Sequence, residues 1–377
     1  MGLALAGVAL TSAVLFASAF SSLLPLGDLV RLPEPSRVLL IASAVAVLLT
    51  VGLVPRRVAR WDLLAAGLGA LGVMAVLVAV TDPLAVALLL ILAAFGCAAG
   101  PGRRPMAVRA RGPALAGLLL GVGWALHPAS GALGRLAALS LALSLVAVAG
   151  LMPYLQEVDA NEPAISSFLA WTGFFAPALA LTLPLRVLPA LTAEQATIFG
   201  ASLVGLGLLN LGWGVVGAWR TSSDLDAWRY SFLADWGLVL VGIGFFQREG
   251  FAAAYLALLS IVLVKLPMYL LARPVLLRPE PAGPGMASVL VAVALAGVAP
   301  FAGFPVRLLL VQAATRVAWP LTVLLLASMV LWIAHSLRLA RTVSASGGRA
   351  ALGLWLTISI SLGLGLFSGA LRGAAGL

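Results

Sequence analysis

The sequence is poor in charge, poor in cysteine and almost without lysine. Only 10% of its 377 residues are charged, against about 25% in an ordinary soluble domain. That excludes a conventional globular protein. The single cysteine, Cys97, rules out an internal disulfide and a multi-cysteine cluster. The two histidines, His127 and His335, stand far apart, so a metal centre built by this chain alone is not expected. No flavin, iron–sulfur or nucleotide motif is visible, so no cofactor is expected either. The net charge of +10 comes from arginines scattered over short loops rather than from a basic stripe. This pattern sets membrane topology and excludes nucleic acid as a partner.

What is present is apolar sequence: 62% of the chain, in recurrent runs of membrane-spanning length. The segment "GLALAGVALTSAVLFASAFSSLL" lacks a basic leader and exceeds a signal core, so it is read as a span. The expected spans are residues 2–24, 37–54, 61–80, 83–99, 112–126, 131–152, 164–184, 195–219, 228–247, 250–272, 285–317, 319–340 and 351–371. The expected fold is therefore an all-α polytopic transmembrane bundle of about 13 helices, within a range of about 12–14. The run 285–317 would measure roughly 50 Å as one straight helix, too long for a single span, so it must break, tilt or split. Loop arginines number fourteen on the N-terminal side against seven on the other, which places the N-terminus in the cytoplasm.

A few polar groups fall inside these runs, where an ionisable side chain costs about 2.5–3.5 kcal/mol on insertion scales and is a functional candidate by default. Lys265, the only lysine, lies deep in "AAYLALLSIVLVKLPMYLLARP" with Pro267 two positions on. A lysine there can snorkel, pair with a carboxylate or carbonyl, pair across subunits, or relay a proton, which arginine cannot do. Asp235 lies about two turns into its helix, where it either pairs with a nearby basic group or carries a proton. Arg307 follows "GVAPFAGFP", in which Pro300 and Pro305 remove backbone donors while Gly297 and Gly303 loosen the chain. A broken helix beside polar surroundings is expected there. Asp226 and Arg229 sit at the entry of the helix carrying Asp235, with Ser222, Ser223 or Asp224 as its cap. Asp159 and Glu162 belong to the acidic stretch "YLQEVDANEPA", read as a solvated loop that could carry coupling charges. His127 and His335 are expected at the membrane interface.

Several of these segments resemble the antiporter-like subunits of respiratory complex I and of Mrp-type cation/proton antiporters. "GVAPFAGFPVRLLLVQAA" is similar to the family's broken-helix signature, a Gly-Leu/Ile-Pro-Pro run leading to Gly-Phe and then a lysine or glutamate. "GAWRTSSDLDAWRYSFLADWGLVLVGIG" is similar to Leu-Lys-Arg-Leu-Leu-Ala-Tyr-Ser-Ser-Ile-x-x-x-Gly, with Tyr230, Ser231 and Gly237 matching. "LMPYLQEVDANEPAISSFLAW" resembles Val-Pro-Phe-His-x-Trp-x-Pro-Asp and the Pro-Val-Ser/Thr-x-Phe-Leu after it, through Pro153, Asp159, Pro163 and Phe168. "SIVLVKLPMYLLA" resembles the helix His-Ala-x-x-Lys-Ala-Leu-Leu-Phe, with Lys265 on the lysine.

The resemblance implies an antiporter-like fold with inverted repeats and broken helices in one transmembrane domain, residues 1–377. Its parts would be divergent N-terminal helices (1–111), a first half (112–220), a second half (221–345) and a C-terminal helix (346–377). It also implies a central axis of a glutamate and lysines that moves protons. Here those places fall near Leu92, Val148, Phe174 or Phe175, and Leu225, all without a titratable group. Lys265 and Arg307 remain. The implied role is a structural or coupling membrane subunit with a degenerate proton path, in a multisubunit redox or ion-translocating complex. Its partners would be lipid and sibling membrane subunits, in a prokaryotic inner (plasma) membrane. It would have no catalytic site of its own but could belong to a membrane oxidoreductase such as an NADH–quinone oxidoreductase, whose chemistry would lie in partners. The alternative implied role is the membrane subunit of a two-component inorganic-carbon uptake system, beside a cytoplasmic zinc protein resembling carbonic anhydrase.

Overall fold

The computed structural model describes Thr11 and residues 32–53, 60–99, 106–154, 176–277, 286–343 and 348–377. The expected span 2–24, apart from Thr11, and the acidic stretch carrying Asp159 and Glu162 lie outside the described residues. Within them the apolar runs fold as helices: α1 Glu34–Leu53, α2 Arg60–Ala79, α3 Pro83–Ala99, α4 Met106–Leu126, α5 Gly131–Val148, α6 Ala176–Val187 and α7 Ala193–Arg220. They continue as α8 Asp224–Gly244, α9 Arg248–Ser260, α10 Leu266–Leu277, α11 Met286–Ala296, α12 Gly303–Val317, α13 Trp319–Thr342, α14 Gly348–Leu366 and the short α15 Ser368–Ala374. A π-helical turn, Ile261–Lys265, joins α9 to α10 without interruption. Counted as one helix, that pair brings the described residues to fourteen helices, close to expectation. Five helices are long and apolar enough to cross a membrane, among them Arg248–Arg273. The chain is an integral membrane protein.

The helices fall into two compact units, one of residues 1–47 and 59–203, the other of 48–58 and 204–377. In the first unit, buried and part-buried polar contacts fasten helices that are otherwise largely apolar. Ser36 and Thr182 share a hydroxyl–hydroxyl bond of 2.6 Å. Gln195 donates to the carbonyls of His127 and Ala129 at 2.8 and 3.2 Å, which ties the α4–α5 turn to α7. Arg186 donates to the carbonyls of Leu77 and Val78 at the end of α2. A helix end leaves such carbonyls without intrahelical partners, and a guanidinium is a suitable cap.

In the second unit, α7 and α8 approach along glycines. A Cβ added at Gly207 would stand 2.8 Å from the Gly237 carbonyl oxygen, and one at Gly214 would stand 2.7 Å from the backbone of Tyr230 and Ala234. Small residues allow this close approach where van der Waals packing, not water release, drives helix association. At Gly237 the added carbon would stand 2.6 Å from the Leu211 nitrogen, an atom that cannot step aside. Gly237→Ala is therefore expected to cost about 1–3 kcal/mol through overpacking. Thermal unfolding of the purified full chain should show a lowered midpoint. Gly205→Ala, at an exposed position within α7 with nothing within 4 Å of the added carbon, should not lower the midpoint and should raise it slightly through helix propensity.

Candidate functional site: an intramembrane charge cluster

The second unit gathers Lys265, Asp235 and Arg307. Two local features of the backbone put them there.

Pro267 lacks the N–H that would bond to the carbonyl four residues earlier, and its ring crowds that carbonyl. The chain answers with a wider turn. Over Ile261–Lys265 the helix is π-helical, and the Leu266 N–H reaches back to the Ile261 carbonyl. Such single π turns mark functional places in helices, and Lys265 is the last residue of this one.

The second feature is the break between α11 and α12. Gly297 adopts φ +65°, the left-handed conformation that favours glycine just past a helix end. Its N–H donates to the Ala294 carbonyl at 3.2 Å, and the Val298 N–H donates to the Val293 carbonyl at 3.3 Å. This pair of bonds is a Schellman motif. The next carbonyl, on Leu295, accepts the indole Nε1–H of Trp332 at 3.1 Å, and the last, on Ala296, accepts Nη1–H of Arg307. All four terminal carbonyls of α11 thus have partners, as a helix end away from water requires. Gly303 opens α12 so close to Gly297 that an added Cβ would stand 2.5 Å from its Cα. Pro300 and Pro305 flank this point on either side, one in the break and one in the first turn of α12.

Lys265 is held on every side. Its ammonium donates to Asp235 Oδ2 in an ion pair and to the Ser231 carbonyl at 2.7 Å. It also stands over two aromatic rings, 5.1 Å from the centroid of Phe232 and 5.2 Å from that of Trp332. Only 5% of its side chain is exposed, against 28% for Asp235. Carboxylate, carbonyl and ring faces all favour the charged form, and burial is the opposing cost. His335 is 4% exposed within the second unit. Its ring packs against Trp332 and its Nε2 lies 3.3 Å from the Ala227 carbonyl. A histidine with an aromatic neighbour and a carbonyl partner can be buried, and proximity to a helix end did not reveal either.

The remaining candidates lie elsewhere. Ser223 caps α8, accepting from the Asp226 N–H at 3.3 Å, so Asp226 belongs to the helix entry. Arg229 is half-buried, and its Nε has no hydrogen-bond partner. Of the places where the resemblance puts axis residues, Val148 is fully buried at the end of α5 and Leu92 is 62% exposed on α3. Phe174 and Phe175 lie outside the described residues. Sequence reasoning did not find Phe232, Trp332 or the Ser231 carbonyl. The first two are aromatic residues in apolar runs, and the third is a backbone group. Among the described residues no cluster of His, Cys, Asp and Glu could hold a metal ion.

Neither a family model nor a curated protein matches the sequence. Solved structures do. A chain of respiratory complex I from Thermus thermophilus, with bound NADH, superposes with a TM-score of 0.72 at 18% identity, over 92% of this chain and 84% of that one. A chain of the Mrp complex from Dietzia sp. DQ12-45-1b gives 0.76 at 17% identity, over 100% of this chain and 49% of that one. A chain of an archaeal membrane-bound sulfane sulfur reductase, a respiratory membrane complex, gives 0.67 at 18% identity, over 89% and 65%. The protein has the fold of antiporter-like membrane subunits. It spans about half of the Mrp chain and about two thirds of the sulfane sulfur reductase chain.

Removing one partner of a buried ion pair leaves an uncompensated charge and costs about 3–5 kcal/mol, whereas replacing both by apolar groups is often neutral. Asp235→Ala should therefore lower the unfolding midpoint far more than the double change Asp235→Ala/Lys265→Met. In a double-mutant cycle, a loss in the double variant equal to the sum of the losses in Asp235→Ala and Lys265→Met would show that the two side chains are not coupled.

Proposed function

We propose that this protein is a divergent antiporter-like membrane subunit of a multisubunit complex I-related or Mrp-type assembly, with a structural or coupling role and a degenerate proton path. The observation that carries this reading is the state of the two remaining axis cations. Lys265 is clamped by Asp235, the Ser231 carbonyl and two ring faces. Arg307 is committed to the Ala296 carbonyl as the cap of a broken helix. A relay group must exchange its proton repeatedly. A clamped ammonium resists that exchange and a guanidinium cannot deprotonate at all. Val148, at a place where the family carries a lysine, is buried and apolar, which removes the chemistry from the preceding part of the path.

In this reading residues 112–220 and 221–345 are two antiporter-like halves, flanked by divergent helices at 1–111 and a C-terminal helix at 346–377. Sibling membrane subunits are the partners, and the membrane is a prokaryotic plasma membrane with the N-terminus on the cytoplasmic side. The likeness to chains of multisubunit complexes and the arginine asymmetry support these assignments.

The test is reconstitution of the purified chain alone into vesicles, with an imposed pH gradient and a pH-sensitive dye. The expected result is no proton flux above that of protein-free vesicles. Robust flux that disappears in Lys265→Met would contradict the degenerate path. In parallel, the tagged chain should copurify with other polytopic membrane proteins. Copurification with a soluble zinc protein alone would move the assignment to the inorganic-carbon alternative.

A further inference from the structure

The charge cluster is not balanced. Asp235 from α8 faces Lys265 from the π turn and Arg307 from α12, so one carboxylate meets two cations. His335, the ionisable group on α13 near Lys265, is turned to the Ala227 carbonyl and offers no negative charge. An unpaired charge buried at membrane depth is strongly unfavourable. Something must offset the surplus.

The space for it exists. A cavity of about 40 Å³ is bounded by Asp235, Ser260, Lys265, Gly297, Gly303 and Arg307. A smaller one of about 10 Å³ shares Asp235 and Arg307 and reaches Ser328 and Trp332. One water needs about 10–15 Å³ by the same kind of measure, so the larger cavity holds a few waters or one small ion. The donors for it exist too. A guanidinium carries five N–H groups. Among the described residues Arg307 gives only one of its donors a protein acceptor, the Ala296 carbonyl. It makes no hydrogen bond to Asp235, although both side chains line the two cavities. Ser260 adds a hydroxyl. The amino end of α12, with Gly303 and Val306 in the cavity wall, adds the positive end of a helix dipole.

We propose that the larger cavity binds a small monovalent inorganic anion of the size and charge of chloride. Arg307, Ser260 and the amino end of α12 hold it, and Lys265 contributes a second positive charge. Asp235 fixes Lys265 and also sets the affinity, because its own charge opposes the anion. This site goes beyond the subunit reading. It depends on the unit formed by residues 48–58 and 204–377, and not on which assembly contains the chain.

The test uses the full chain, with any partners that copurify. Its unfolding midpoint is titrated with sodium chloride replacing sodium gluconate at constant ionic strength, and the ³⁵Cl NMR linewidth is followed in the same samples. Binding to the folded state raises the midpoint with the logarithm of chloride concentration once that exceeds the dissociation constant. The linewidth gives the half-saturating concentration, and bromide should displace the excess linewidth. Arg307→Gln should raise the half-saturating chloride concentration by about tenfold or more, and Asp235→Asn should lower it several-fold. The absence of a chloride-dependent rise in the midpoint and of excess linewidth in the unaltered chain would overturn the proposal. So would an unchanged half-saturation in Arg307→Gln. Should that variant fail to fold, an unchanged or raised half-saturation in Asp235→Asn would overturn it equally.

Discussion

The structure turns on one ion pair placed where water is scarce. Lys265 and Asp235 meet inside a membrane protein, and burying the Lys265 ammonium there without its carboxylate would cost about 3–5 kcal/mol. Around them the second unit supplies what a lone ion pair lacks. The Ser231 carbonyl takes a second ammonium proton, and Phe232 and Trp332 present ring faces to it. Pro267 forces the π turn that ends in Lys265. Each contact follows from the cost of an unsatisfied polar group in low dielectric. Together they tie α8 and α13 to the π turn through one ammonium.

The broken helix obeys the same constraint from the backbone side. Ending a helix at membrane depth leaves four carbonyls to satisfy, and α11 satisfies them with two turn bonds, one indole and one guanidinium. Trp332 therefore serves both features, capping the Leu295 carbonyl with its N–H and covering Lys265 with its ring face. Arg307 likewise joins the break to the charge cluster. The ion pair and the helix break form one connected device, and a change at Trp332 or Arg307 is felt by both.

Much of this was legible in the sequence. Apolar run lengths located the helices, because a bilayer fixes how long a span must be. The excessive length of 285–317, with its glycines and prolines, announced the division that the structure places between Ala296 and Gly303. The solitude and depth of Lys265 singled it out, and Asp235 stood out as a carboxylate two turns into a helix. The aromatic partners were not legible. Phe232 and Trp332 look like any other bulky residue in an apolar run, and only tertiary packing sets one 5.1 Å and the other 5.2 Å from an ammonium. The burial of His335 beneath its neighbours was hidden for the same reason, since sequence distance from a helix end says nothing about which side chains cover it.

Because Lys265 is the only lysine in the chain, isotopic labelling reports on the ion pair without ambiguity. Growth with ¹⁵Nζ-lysine gives the protein a single side-chain nitrogen signal in the membrane-embedded state. If Asp235 clamps a permanently charged ammonium, that signal keeps its ammonium shift from about pH 5 to about pH 9, a window lying between the usual carboxylate and lysine ranges. A signal that moves to the neutral-amine position within that window would show a lysine free to exchange its proton, and would contradict the account of a proton path held shut.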